Sequence, residues 1–383
     1  MEWTNTADVV VIGAGIQGTA ISYYLKRRGV EKVVVLDKST VCSGATGRCG
    51  AGIRAQWGTE MNCRLGLACV EKFEGLSQEL GMDIGLNQSG YLMVAYQDKE
   101  WEQLQKNVTL QNRLGIASRV VNREEANEIC PGLGAPDALG FTFHARDGHA
   151  DPFLTTFAYH KRGRELGVIY HTGTTVTDIK VANGKVFGVV TDKGHIDAPV
   201  VINAAGGHSQ FIASMAGVQL PLFSERHEII ITEPVDAGVC PPMLMSFSGN
   251  YYIQQRPHGS IIAGCSPAGH PQDYELGTSW QFLQQMTRTM LAVLPRTRGM
   301  RIVRQWSGLY NMSPDRQAVL GEADDVTGFF VSVGFSGHGF MFGPVTGEII
   351  ADLVVGREPK INVDMLHYRR FQLGELILEP AVV

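Results

Sequence analysis

Two glycine-rich stretches stand near opposite ends of the chain, with a candidate anion-binding arginine close to the first. Residues 7–18 read ADVVVIGAGIQG, which sets Gly13, Gly15 and Gly18 in the spacing G-x-G-x-x-G. Bare backbone at these positions suits a tight turn, contact with a diphosphate, and close packing of a helix on a strand. Asp37 follows 19 residues after Gly18, where a carboxylate can accept from a ribose hydroxyl. Residues 43–54 read SGATGRCGAGIR, an extended run of small residues that lets backbone pass close to a flat ring system. It ends in Arg54, whose planar guanidinium is suited to bidentate recognition of a carboxylate. Near the other end, Gly334 to Pro344 reads GFSGHGFMFGP, with four glycines, one histidine and no lysine.

These residues need elements to hold them. Residues 7–12 form a β-branched run, GIQGTAISYYLKRRG carries apolar residues at helical spacing, and EKVVVLDK is a second apolar strand. The three make a βαβ unit whose helix directs its free N–H groups at the diphosphate. Residues 167–209 hold three short strands with turns at Asn183-Gly184 and Lys193-Gly194, then VINAAG, an apolar strand returning to the first sheet. The cofactor domain is therefore expected to be discontinuous, built from 1–85, 145–220 and 305–383. Residues 86–144 and 221–304 supply GYLMVAY, EIIITEP, YYIQQR and SIIAGC, short alternating strands that predict a second domain on an antiparallel sheet. The expected fold class is α/β (α+β overall), with a Rossmann-like cofactor domain.

Composition excludes several classes. The 383-residue chain has a net charge of −5 and no Lys/Arg run that could track phosphates, so nucleic acid is not an expected partner. The N-terminus lacks a basic n-region, and no apolar run reaches the ~18 residues of a membrane span. A cytoplasmic protein is expected, with membrane-surface association left open. Seven cysteines without a CxxC pair argue against a disulfide framework or a zinc site, and no metal is expected.

Taken together, VVVIGAGIQG, SGATGRCGAGIR, VINAAG and GFSGHGF resemble the FAD-dependent amino-acid oxidoreductases of the D-amino-acid oxidase and sarcosine oxidase type. The stretch from Asp147 to Phe153 (DGHADPF), GFSGHGFM and the closing YRRFQLGEL are most similar to the β subunit of heteromeric dye-linked L-proline dehydrogenases. The resemblance implies that the ADP part of FAD rests on Gly13, Gly15, Ile16, Gln17, Gly18, Asp37 and Lys38. It sets the isoalloxazine against Ser43, Ala45, Thr46, Gly50, Ala51 and Gly52, and Val176, Ala205 and Gly206 on the adenine side. Gly308, Gly337, His338, Gly339, Phe340 and Met341 would approach the flavin from the C-terminal part.

The resemblance also assigns Arg54 to the substrate carboxylate, Tyr252 and Tyr310 to the pocket walls, and His338 to flavin or substrate. Two departures from the family pattern matter. Monomeric sarcosine oxidases attach FAD through a cysteine where this chain has Gly308, so noncovalent FAD is expected. They also carry a lysine where Met341 stands, and residues 249–264 hold no lysine to activate oxygen, which points to a dehydrogenase with a partner subunit carrying further redox cofactors. A second flavin, FMN, at a subunit interface through His149 is a further possibility the resemblance raises. The expected reaction is hydride transfer from the carbon next to the amine of a small amino acid to flavin N5, giving an imine. L-Proline is the first choice, and sarcosine, glycine, hydroxyproline or an opine are alternatives. A noncatalytic flavin-holding subunit is the rival reading.

Overall fold

The structure is a computed structural model that describes residues 3–265 and 272–380. The apolar runs VVVI and VVVLD form β1 (Val9–Ile12) and β2 (Val33–Asp37), joined by α1 (Ile16–Arg27). Strands buried on both faces read as continuous hydrophobic runs, as these do. Within the described residues they belong to a six-stranded sheet in the order Val319–Glu322, Phe329–Val333, Val200–Asn203, β1, β2, Ile169–Thr172. All its pairings are parallel except that of Val319–Glu322 with Phe329–Val333. The strand ending in VINAAG thus pairs directly with β1, in the register Val9↔Val200.

One face of this sheet is covered by α1, α2 (Glu60–Leu80), Pro152–Glu165 and Gly339–Val354, which share a core with Val9, Val11, Val33 and Val35. The opposite face, with Val10, Val34 and Val201, packs against the antiparallel strands Val176–Ala182, Lys185–Thr191 and Gly194–Asp197. These last three are the hairpin strands expected from the two turn dipeptides.

A second sheet of eight described strands runs Ile302–Met312, Phe223–Thr232, Ile261–Cys265, Tyr251–Gln255, Met243–Ser246, Tyr91–Ala95, Gly140–His144, Arg119–Val121. It is antiparallel except for one parallel join, Met243–Ser246 with Tyr91–Ala95, which fuses two segments far apart in sequence. Strand alternation divides its side chains. Leu92, Val94, Leu244 and Ile253 pack into a core with the helix Trp280–Val293, whereas Tyr91, Met93, Met243 and Tyr252 belong to a separate cluster on the other face, where Tyr91 and Tyr252 meet Gly52 and Gly50. The expected domain boundary at 305 falls inside the strand Ile302–Met312, which pairs with Phe223–Thr232 over its whole length. That strand belongs to the second sheet and delivers Tyr310 and Asn311 to the junction.

Among the described residues, no helix is long and apolar enough to cross a membrane, and no group of His, Cys, Asp and Glu could hold a metal ion.

Candidate functional site

A cavity of about 460 Å³ opens at the carboxyl ends of the parallel strands, the crevice in which open α/β sheets bind ligands. Gly13, Gly15, Ile16 and Gln17 line it from the β1–α1 turn, and Asp37 and Lys38 from the end of β2. Ser43, Ala45 and Thr46 come from the small-residue segment, Val176 from the start of the strand Val176–Ala182, Ala205 and Gly206 from just after the strand Val200–Asn203, and Tyr310, Gly337, Gly339 and Phe340 from the C-terminal part. Chain ends more than 300 residues apart meet because Gln17 bolts two helices together. Its Nε2 donates to Gly339 O (2.9 Å), and its Oε1 accepts from Thr346 Oγ1 (2.8 Å) and Ser332 Oγ (3.1 Å).

The turn is tight enough to require its glycines. Gly13 has φ +111°, and a Cβ on it would lie 2.3 Å from Ala204 O; a Cβ on Gly18 would lie 1.8 Å from Gly13 O. Gly18 itself does not line the cavity and serves this packing. The Asp37 carboxylate is held by Ala14 N–H (2.8 Å) and Ser39 N–H (2.7 Å) at one end of the cavity. Neither α1 nor the helix Gly339–Val354 has an acidic residue in its first turn or a side-chain cap. Two positive helix ends therefore converge on the cavity, joined by Arg48 and Lys38, and favour an anionic ligand there.

The remaining expected residues lie outside the lining. Gly50 and Gly52 make room for tyrosines, since added Cβ atoms would meet Tyr252 Cε2 at 2.9 Å and Tyr91 Oη at 1.8 Å. Ala51 is buried, and Gly308 faces Arg48, whose Cβ would be 3.1 Å from an added Cβ. Met341, expected beside the flavin, is 3 % exposed and packs in the core of the first domain. The first turn of its helix presents Gly339 and Phe340 to the cavity and turns the next residue inward.

Outside the lining, Arg54 meets His338, which sits between Gly337 and Gly339, and Tyr252 clusters with Met245 and Phe247 on the Arg54 side. Gly52–Ile53 pairs with Gly148–His149, and Asp147 Oδ1 accepts from Ala55 N–H (2.7 Å), which fixes the chain on either side of Arg54. Arg54 is 2 % exposed, its guanidinium 4.0 Å from the Trp57 ring centroid and 5.3 Å from that of Phe247. Its Nη2 lies 3.2 Å from His338 Nε2. A guanidinium only donates, so His338 Nε2 accepts and the ring is neutral. Burial first, and then the Arg54 charge, hold His338 well below the usual histidine range. No carboxylate among the described residues forms an ion pair with Arg54; its polar contacts are His338 and Met245 Sδ.

The phenols nearby stay protonated. Burial pushes Tyr91, Tyr252 and Tyr310 upward, Tyr310 to about 12. The Tyr310 ring stacks on His227 with centroids 3.7 Å apart. Cys49, which lines the cavity, is raised to about 12 by burial, so its thiol is no ready nucleophile. His149, considered for covalent FMN, is 1 % exposed, with Nδ1 3.1 Å from Arg256 Nη1 and Nε2 3.3 Å from Asn87 Nδ2.

Residues that sequence reasoning passed over include Arg48, Cys49, His208 and Asn311 in the lining, and Trp57 and Tyr91 around Arg54. Arg48 and Cys49 lie within the quoted SGATGRCGAGIR stretch and could have been found there; Asn311 has no sequence signal.

Fold and cavity together define a Rossmann-type protein with a long-ligand crevice at the carboxyl ends of its parallel strands, and with a buried cation, Arg54, outside the cavity lining. The chain belongs to the FAD dependent oxidoreductase family, whose profile matches residues 8–353. It is 29% identical to the sarcosine oxidase subunit beta of Rhodobacter capsulatus over 380 residues, 98% of this chain and 91% of that one. The crystal structure of an L-proline dehydrogenase from P. horikoshii superposes with a TM-score of 0.93 at 34% identity, covering 98% of this chain and 100% of the other. A glycine oxidase structure from Geobacillus kaustophilus shares the fold, with a TM-score of 0.88 at 23% identity, covering 95% and 99% of the two chains. The glycine cradle, the two helix ends and a lining that runs from Asp37 to Tyr310 fit FAD.

Proposed function

We propose that the chain is the catalytic subunit of an amino-acid dehydrogenase, with L-proline as its first substrate. The observation that carries this is Arg54: a buried cation, sandwiched between aromatic rings, with no carboxylate partner among the described residues. An uncompensated buried charge is costly, and a ligand carboxylate offsets that cost with charge-assisted hydrogen bonds. The rings of Trp57 and Phe247 pack against the planar guanidinium, and the lone pair of His338 accepts from one of its edges. Tyr91, Tyr252 and Tyr310 supply neutral phenols and a largely apolar wall that suits a small cyclic amino acid. With these phenols protonated, none is a strong base, so the substrate amine must arrive neutral and positioning supplies much of the rate. FAD, when bound, supplies the acceptor for the hydride leaving the carbon next to that amine. Resemblance to a subunit called beta and to an L-proline dehydrogenase supports a heteromeric enzyme that passes electrons to a partner. Residues 249–264 hold no lysine, and the residue after the GFSGHGF phenylalanine is methionine where monomeric sarcosine oxidases carry lysine, which supports the dehydrogenase reading.

Anaerobic titration of the purified holoprotein with L-proline, sarcosine, glycine and hydroxyproline tests the proposal. Bleaching of the flavin fastest with L-proline is expected. Faster bleaching by another amino acid reassigns the substrate, and no bleaching by any of them favours a noncatalytic flavin-holding subunit.

A further inference from the structure

Asn311 is the residue of the cavity wall whose chemistry is incomplete. It lies on the strand Ile302–Met312, is 8 % exposed and lines the cavity. Its Oδ1 accepts from Gly334 N–H (2.7 Å), and its backbone carbonyl accepts from Ser336 N–H (2.9 Å). A backbone N–H can only donate, so the first contact fixes the orientation of the amide, with oxygen toward Gly334 and the NH2 group turned away from it. That Nδ2 has no hydrogen-bond partner. Leaving a buried amide unpaired is costly, so a group held so firmly in this orientation is expected to meet an acceptor in the ligand.

The position indicates which part of the ligand. The turn that Asn311 pins, Gly334 to Ser336, follows the strand Phe329–Val333, three strand spacings from β2 and Asp37. At ~4.8 Å per spacing this is roughly 14 Å from the ribose end of the cavity. The turn is held in a costly conformation, with Ser336 at φ +47° in the left-handed region. Tyr310, the neighbour of Asn311 on the same strand, contacts Gly337, which precedes His338 and its contact with Arg54. The flavin half of FAD would be the part nearest this place.

We infer that the Asn311 side-chain amide donates a hydrogen bond to a carbonyl oxygen or nitrogen of the flavin ring, and so favours the reduced cofactor. Electron density on those acceptors rises on reduction, which makes a fixed donor worth more to reduced than to oxidised FAD. The donor is neutral and presented by a strand that already closes the cavity, so it needs no rearrangement when the ring is reduced.

The test compares wild type, Asn311→Asp and Asn311→Ala as holoproteins, by reduction potential and by FAD dissociation constant. Asp keeps an acceptor for Gly334 N–H but replaces the donor with oxygen. Asn311→Ala is expected to bind oxidised FAD about 3- to 10-fold more weakly. Asn311→Asp is expected to lower the relative affinity for reduced FAD at least tenfold, equivalent to about 30 mV in a two-electron potential. The potential is read from bound flavin alone, so a partly unfolded sample does not mimic the effect. A potential equal to wild type in both variants overturns the inference, whether FAD affinity falls or not, because a ribityl contact or a structural role would not separate the two redox states.

Discussion

Replacing Arg54 by methionine should move function and stability in opposite directions. In the substrate-free protein the guanidinium contacts two aromatic faces and one imidazole nitrogen, and it forms no ion pair among the described residues. Burial lowers its pKa, opposed by the fields of Tyr91, Glu379 and Asp147. Desolvating a cation costs several kcal/mol, against ~2 kcal/mol from a desolvated cation–π contact, so exchanging the charge for an apolar side chain of similar length is neutral or stabilising. Arg54→Met is therefore expected to leave the stability of the substrate-free protein unchanged, or to raise it by about 1–2 kcal/mol. The same exchange removes the charge-assisted bonds to the substrate carboxylate, worth about 1.5–3 kcal/mol net, which is roughly 10- to 150-fold in kcat/KM. Because the Arg54 charge also depresses His338, the imidazole should titrate at higher pH in the variant. Stopped-flow anaerobic flavin reduction, denaturant unfolding and NMR titration of the histidines read the three effects. A variant that loses several kcal/mol of stability while keeping kcat/KM would show that Arg54 is a structural residue and would refute the carboxylate assignment.

Three further outcomes are expected. Gly18→Ala forces a Cβ against the Gly13 carbonyl oxygen, a backbone atom that cannot swing aside, and should cost ~3 kcal/mol together with most bound flavin, measured as the flavin-to-protein ratio and by unfolding. His149 is held at about 4 by burial and then by the Arg256 charge, so the unfolded chain binds its proton first. Stability is therefore full above pH ~6.5 and falls by about 3 kcal/mol as pH drops toward 4; His149→Asn should flatten that part of the stability curve, and an unchanged slope would assign it elsewhere. Acid precipitation should leave all flavin in the supernatant, because Gly308 offers no thiol and burial keeps the Cys49 thiol protonated, whereas a yellow pellet would contradict noncovalent attachment.

The βαβ unit and the hairpin strands between 176 and 197 could be read from periodicity and turn residues, because each depends on nearby sequence, and the return of VINAAG to β1 from an apolar run ending in Ala204, Ala205 and Gly206, although its partner lies 191 residues away. The residues of the G-x-G-x-x-G turn and Asp37 belong to the same local pattern. The strand Ile302–Met312 could not be assigned to its sheet this way, since its partner lies some 80 residues earlier and its alternation is weak. Met341 shows the limit of aligning motifs: its place after GFSGHGF suggested the flavin, yet one residue along a helix turns a side chain by about 100° and carries this one into the core.

By itself the sequence determined that a dinucleotide would be held by glycines, a helix end and an acid, because those demands are met within one short stretch of backbone. Only the tertiary structure decided what surrounds the reacting end. Arg54 lacks a counter-ion because of which side chains two separate sheets bring to it, and the Asn311 amide lacks an acceptor because a turn from the other sheet takes its oxygen. Whether a polar group is satisfied depends on every neighbour in space, and those neighbours here come from segments up to some 280 residues apart in the chain.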